Sequence, residues 1–309
     1  MRVRACALNR LDIFQRNGLE RVKVPLPHIS GADVAGEVVD GGSSGLPAGA
    51  RVMLQPGLSC GRCAPCLAGH DNRCAAYDVL GYQSAGGYAE LIAVPATSLI
   101  PIPDHIDFVT AAAFPLTFLT AWHMLVTHAG LRDGDTVLVV GAGSGVGQAA
   151  IQIAKHFGAR VIATAGGETK LARAKGIGAD EVIDHYTQKI AAEVKRLTAG
   201  RGADIVVEHV GVATFDASMR SLARGGRLVT CGATTGHDAS LDLRHLFARQ
   251  LSLIGTYMGE KRELLRAAEL FFAGVLKPVV DRTFPLAEAA DAQRYLVGPD
   301  HFGKVVLVS

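Results

Sequence analysis

The segment TVLVVGAGSGVGQAAIQIAKHFG, residues Thr136–Gly158, decides the fold. It opens with TVLVVG, a short apolar run of the kind that forms a strand buried on both faces. Gly141, Gly143, Gly145 and Gly147 follow at a turn; then Ala149, Ile153 and Phe157 recur at helical spacing, and Gly158 is in place to stop the helix. A strand that turns through glycines into a helix brings backbone N–H groups and the positive end of the helix to one spot, which suits a pyrophosphate. The text is not a strict G-x-G-x-x-G, so the strand before it and the helix after it carry the reading.

The same alternation continues downstream in RVIATA, the helical ETKLARAKGIG, EVIDH, a helix over Thr187–Thr198, and strands in ADIVVEHV, RLVTCG and LSLIGTY. Six strands with helices between them predict an α/β domain over residues 116–257, a doubly wound Rossmann fold with a six-stranded parallel sheet. Residues 1–115 read as an all-β domain, with strands in DVAGEVV and GYAELIAV and turns at PLP, GLPAG and PIPD. Residues 258–309 return to it through a helix over Glu260–Phe272, a β-rich KPVVDRTF, a helix from Leu286 and a last strand in KVVLVS.

Among the 309 residues, 31 Lys and Arg face 29 Asp and Glu, a net charge of +2, and no basic run suggests a nucleic-acid surface. The apolar stretch Ala111–Val126 is broken by Pro115 and His123, so no membrane span is expected. MRVRACALNR lacks the long apolar region of a signal peptide, and a cytoplasmic location is the expectation.

Four cysteines crowd together as Cys60-x2-Cys63-x2-Cys66-x7-Cys74. Four thiolates at this spacing make a closed tetrahedral site for one structural zinc, with no open position for a substrate. Gly57, Gly61, Gly69 and Pro65 supply the turns that point the sulfurs inward. His70 reads as a solvent-facing loop residue, since four sulfurs already complete the shell.

The cysteine lobe, GAGSGVG opening a helix and the closing HFGKVVLVS together resemble the medium-chain dehydrogenase/reductase superfamily over nearly the whole chain. Within it, ALNRLDIFQRNG and PHISGADVAGEVV are more similar to the quinone oxidoreductase branch than to the zinc alcohol dehydrogenases. The resemblance implies a GroES-like catalytic domain carrying the zinc lobe, a Rossmann domain, a small-molecule substrate and a homodimer paired through the sixth Rossmann strand. Relatives usually have a leading hairpin before RVRACALNR. Its lack here implies a truncated start and an unpaired strand edge.

By the same resemblance, the three ligands of a catalytic zinc fall on Asn9, Ala32 and Leu116, none of which binds zinc well, and the proton-relaying hydroxyl falls on Leu11. Hydride transfer to a quinone or an α,β-unsaturated carbonyl is then expected, with Asn9 as hydrogen-bond donor to the acceptor, Asp12 organising the site and Thr120 beside the nicotinamide. A zinc alcohol dehydrogenase using Cys6, Asp12 or Asp33 as unusual ligands is one alternative, and a non-catalytic NADPH-binding protein is another. His123 and His128 receive no role.

The cofactor contacts implied are Gly141, Gly143, Ser144, Gly145, Val146 and Gly147 at the turn, and Thr164, Gly167 and Lys170 around the end of the second strand. His209, Val210, Cys231 and Gly232 follow at later strand ends, where such sheets bind ligands. Ala165 stands where an acidic residue would hold the ribose of NAD, and Lys170 is near enough to meet a 2′-phosphate, so NADP is favoured over NAD. Glu168 would oppose a phosphate if it pointed inward.

Overall fold

A computed structural model describes residues 1–18, 24 and 26–309. The chain divides into one unit of Met1–Leu119 with Glu260–Ser309 and a second of Thr120–Gly259. The first carries β1 (Arg2–Ala7), β2 (Asp33–Glu37), β3 (Arg51–Leu54), β4 (Gly57–Leu58), β5 (Asp78–Val79) and β6 (Leu99–Pro101). The second carries β7 (Thr136–Val139), β8 (Arg160–Ala165), β9 (Glu181–Asp184), β10 (Ala203–Glu208), β11 (Leu222–Thr230) and β12 (Ser252–Gly255). After the chain returns, β13 (Val280–Pro285) and β14 (Lys304–Val308) complete the first unit.

The sheet of the second unit runs β12-β11-β10-β7-β8-β9, with every neighbouring pair parallel. Its direction of winding reverses between β7 and β10, and ligands bind such sheets outside the carboxyl ends of the strands at that reversal. Leu138, Val140, Ile162, Val206 and Leu228 are buried in its core. The central strands β7, β8 and β10 are mostly apolar and buried, as expected where helices cover both faces of a parallel sheet.

In the first unit the order is β13-β14-β1-β2-β3-β6, antiparallel except for β13 with β14. Here β1 has a neighbour on each side, Ala5 pairing with both Val308 and Ala35, so the unpaired edge expected at the start of the chain does not occur. GYAELIAV forms no ladder: only Leu91 bridges to Arg2, with Val3 N donating to Glu90 O and Ile92 N to Met1 O. A register shift in β1 between Val3 and Ala5 accompanies this loose pairing.

Residues 1–115 are less purely β than their sequence suggests, since they contain the helix Arg10–Asn17, while the helix expected in the returning segment is present as Lys261–Phe272. Asp12 caps the first by accepting from the Asn9 backbone N–H at 2.7 Å. Leu8, Ile13, Phe284, Leu296 and Val305 form one core cluster, and the Phe114 ring stacks on Phe118 and Phe271 at 4.5 and 4.4 Å. Burying each such side chain contributes about 1.5–3 kcal/mol. No helix among the described residues is long and apolar enough to cross a membrane.

Candidate functional site

The cysteine lobe is built from β4, the one-turn helix Ala64–Leu67, a turn over Asp71–Arg73 and β5. Gly61 and Gly69 take the left-handed φ values of 70° and 82° that the tight turns require. The sulfurs of Cys60, Cys63, Cys66 and Cys74 all lie within 4.8 Å of one another, with Cys63 and Cys66 at 3.4 Å. Zinc–sulfur bonds of about 2.3 Å at tetrahedral angles would set sulfurs about 3.8 Å apart, so the four residues fit one zinc. The backbone N–H groups of Arg62 and Cys63 draw the Cys60 thiol down to about 6, toward the thiolate a metal needs.

His70 is not the free loop residue that its position in the sequence suggests. Its Nδ1 lies 2.5 Å from Oε1 of Glu260, whose carboxylate is almost fully buried and also accepts from Arg262 Nε at 2.6 Å. Lys261 N donates to Asp71 Oδ1 at 3.0 Å, so the lobe is tied at two points to the start of the Lys261–Phe272 helix.

In the second unit, the glycine loop leaves β7 at Gly141, where φ is 75°, passes Gly143 and enters the helix Gly145–His156, whose second residue is Val146. Ser144 caps this helix by accepting from Gly147 N at 2.8 Å. A Cβ on Gly147 would come within 2.2 Å of Gly141 O, so only glycine lets the loop close this tightly. Thr164, from β8, braces the turn, its Oγ1 accepting from Gly141 N at 3.0 Å.

His209, just beyond β10, places Nε2 at 3.0 Å from Ser144 Oγ, which joins the loops after β7 and β10 at the winding reversal. The His209–Gly211 loop is shaped by Glu208, a buried residue not singled out in the sequence. Its Oε1 accepts from Val210 N and Gly211 N at 2.6 and 3.0 Å, and its Oε2 from the hydroxyls of Thr214 and Ser218 at 2.9 and 2.5 Å. The signal was an acid directly after the apolar run Ile205–Val207, at the carboxyl end of the strand. Beyond β11, Gly232 O accepts from Thr230 Oγ1, while burial and then the Glu208 charge push the Cys231 thiol up to about 12. Cys231 is therefore a protonated packing group.

Gly167, at φ 82°, precedes the helix Glu168–Gly176 that carries Lys170. Burial holds the His185 imidazole below its usual value, with Asp184 opposing and Lys170 adding to the shift, so Lys170 stands close to the end of β9. Tyr186 lies against Gly166, where a Cβ would come within 2.3 Å of its ring. Thr120 is buried in the helix Pro115–Trp122. The rings of His123 and His128 pack at 4.2 Å, and His128 Nδ1 meets Thr256 Oγ1 at 2.9 Å.

Asn9 sits in a buried network of the first unit. Lys304 Nζ donates to Asn9 Oδ1 at 2.7 Å and to Asp33 Oδ2 at 2.8 Å. Asn9 Nδ2 donates to Asp33 Oδ2 at 3.0 Å, and Leu116 N to Asp33 Oδ1 at 2.8 Å. Asp12 accepts from Tyr88 OH at 3.0 Å; burial pushes its carboxyl up to about 6, against hydrogen bonds from Asn9 N and Tyr88. Burial, then Asp12 and Asp33, raise the Cys6 thiol well above its usual value. Cys6, Asp12 and Asp33 thus do not converge as ligands. Among the described residues, the four-cysteine lobe is the one group of three or more His, Cys, Asp or Glu side chains placed to hold a metal.

Comparison with known proteins agrees with this architecture. The family description "Alcohol dehydrogenase GroES-like domain" matches residues 1–104, and "Zinc-binding dehydrogenase" matches residues 145–273. A quinone oxidoreductase of Pongo abelii is 29% identical across 100% of this chain and 88% of its own length. An acryloyl-coenzyme A reductase of Metallosphaera sedula is 32% identical across 100% of this chain and 91% of its own. A crystal structure described as an NAD-dependent alcohol dehydrogenase superposes with a TM-score of 0.95 at 48% identity, covering 100% of this chain and 90% of that one. With the GroES-like strands, the parallel sheet and the cysteine lobe in place, the chain belongs to the medium-chain dehydrogenase/reductase superfamily of oxidoreductases.

Proposed function

We propose that this protein is an NADPH-dependent reductase of quinones or α,β-unsaturated carbonyls that works without a metal at the hydride-transfer site. The observation that carries the reading is the Lys304–Asn9–Asp33 network: at the first of the three positions where relatives with catalytic zinc need ligands, Asn9 is engaged by an ammonium group that also neutralises the neighbouring Asp33. Ala32 and Leu116 offer no donor side chains at the other two positions. Without a Lewis acid, a substrate must delocalise its own developing charge, and conjugated acceptors do so.

The bound dinucleotide supplies the hydride. The chain's residues bind and orient: the Ser144–Gly147 turn receives the pyrophosphate at a helix N-terminus, and Lys170 meets the 2′-phosphate that Ala165 leaves room for. Asn9 Nδ2 donates to the acceptor oxygen as negative charge grows on it. Reduction of a quinone consumes one NADPH and one proton and yields the hydroquinone and NADP. The cysteine lobe holds one zinc in a structural role.

A second reading, alcohol oxidation with a second metal, draws on the 48% identical structure described as an alcohol dehydrogenase. NADPH oxidation with benzoquinone, naphthoquinone and simple enones, together with metal content, decides between them. Turnover on these acceptors with one zinc per chain supports the reductase. Two metals per chain and turnover confined to alcohols would overturn it, and tight NADPH binding with no turnover on any acceptor would point to a sensor. We further propose a cytoplasmic homodimer paired through β12, an edge strand on which Leu253 is 42% exposed. Sedimentation should give one species of twice the chain mass, and a monomer would contradict it.

A further inference from the structure

Asn9 has only one favourable side-chain orientation. Its amide oxygen faces the Lys304 ammonium at 2.7 Å and its nitrogen faces the Asp33 carboxylate at 3.0 Å, whereas the flipped amide would set like against like at both contacts. Asp33 is itself fixed by Leu116 N, and Asp12 fixes the Asn9 backbone from the other side. Lys304 and Asp33 balance each other's charge, with side chains only 2% and 0% exposed. Charge balance alone would not require the further bond from Lys304 to Asn9.

The two hydrogens on Asn9 Nδ2 differ in how firmly they are held. One goes to Asp33; the other points to Ala7 O at 3.5 Å, the outer limit of hydrogen bonding, and can be transferred to a better acceptor. A cation bonded to the amide oxygen draws electron density from the nitrogen, and linked hydrogen bonds in a low dielectric strengthen one another. The amide is thus both aimed and made a stronger donor from behind.

We infer that Lys304 is a positioning residue for the reduction proposed above, holding and polarising Asn9 so that its spare N–H stabilises the acceptor oxygen as hydride arrives. The inference rests on that reading of the function. Lys304 does not touch the acceptor; its effect passes through Asn9.

The test compares wild type, Lys304→Arg and the charge-neutral double variant Lys304→Met/Asp33→Asn in steady-state reduction of naphthoquinone by NADPH. Losing the polarising cation should lower kcat of the double variant about tenfold or more, a fraction of what an entire oxyanion donor contributes. KM for NADPH should stay within about twofold, and Lys304→Arg should keep most of kcat. A folded double variant with wild-type kcat overturns the inference and leaves the proposed function intact. Wild-type protein inactive on every quinone and enone defeats the function, and the inference with it. If the double variant does not fold, labelled wild type with NADP and naphthoquinone, which cannot turn over, decides. The Asn9 amide and Lys304 ammonium resonances should then shift together, and if neither moves while the quinone is bound, the inference fails.

Discussion

Oε1 of Glu260 lies 2.5 Å from Nδ1 of His70, which joins the cysteine lobe to the first turn of the Lys261–Phe272 helix across 190 residues of chain. Removing zinc should therefore loosen more than the lobe. Chelation is expected to raise hydrogen exchange over residues 57–79 and also over residues 261–272. His70→Ala should raise it over residues 261–272 alone and lower stability by about 1–3 kcal/mol, because buried Glu260 loses a partner. Unchanged exchange in the helix after chelation would show that the lobe and the helix are independent.

Asp12 should leave a signature in the pH dependence of stability. Its folded pKa, about 6, lies above the unfolded value near 3.8, so the folded state holds the proton more tightly. Its contribution to stability is then greatest below the unfolded value, declines as pH rises toward 6 and is flat beyond. Urea titrations of wild type minus Asp12→Asn should give a difference that falls by roughly 1–3 kcal/mol between pH 4 and pH 7. A difference that rises with pH would mean that hydrogen bonds from Asn9 and Tyr88 outweigh burial.

Four donors converge on Glu208 and shape the loop that reaches Ser144. Glu208→Ala leaves two backbone N–H groups and two hydroxyls without their acceptor, and should cost about 2–4 kcal/mol and weaken NADPH binding. Glu208→Gln should be milder, since its amide can donate to the hydroxyls. Thermal melts and cofactor titrations of the two variants check the order, and equal losses would refute it.

The choice of cofactor should follow Lys170. Lys170→Ala is expected to raise KM for NADPH about tenfold and leave KM for NADH within about twofold, since only one of them carries the 2′-phosphate. Equal changes for both cofactors would make Lys170 a surface lysine with no part in selectivity.

What could be read from the sequence was what neighbouring residues decide. The strand, glycine turn and helix at Thr136–His156 depend on local periodicity and steric room, and the cysteine site on spacing within one loop. Local competition explains one misplaced boundary. The helix expected from Thr187 starts at Ile190, because Asp184 Oδ1 accepts from Tyr186 N while Gln188 Oε1 accepts from Asp184 N, and these bonds favour a turn. The groups that tune the candidate site were hidden for the opposite reason. Lys304 meets Asn9 across 295 residues and Glu260 meets His70 across 190, and no periodicity connects residues so far apart.

The pairing of β14 with β1 also orders events during synthesis. Ala5 must wait for Val308, and Asn9 for Lys304, until residues at least 295 positions later have left the ribosome, whereas the parallel sheet is encoded in one uninterrupted stretch. The nucleotide half can therefore mature first. The half that would receive the acceptor stays unfinished, with β1 and β13 lacking their shared neighbour, until β14 emerges.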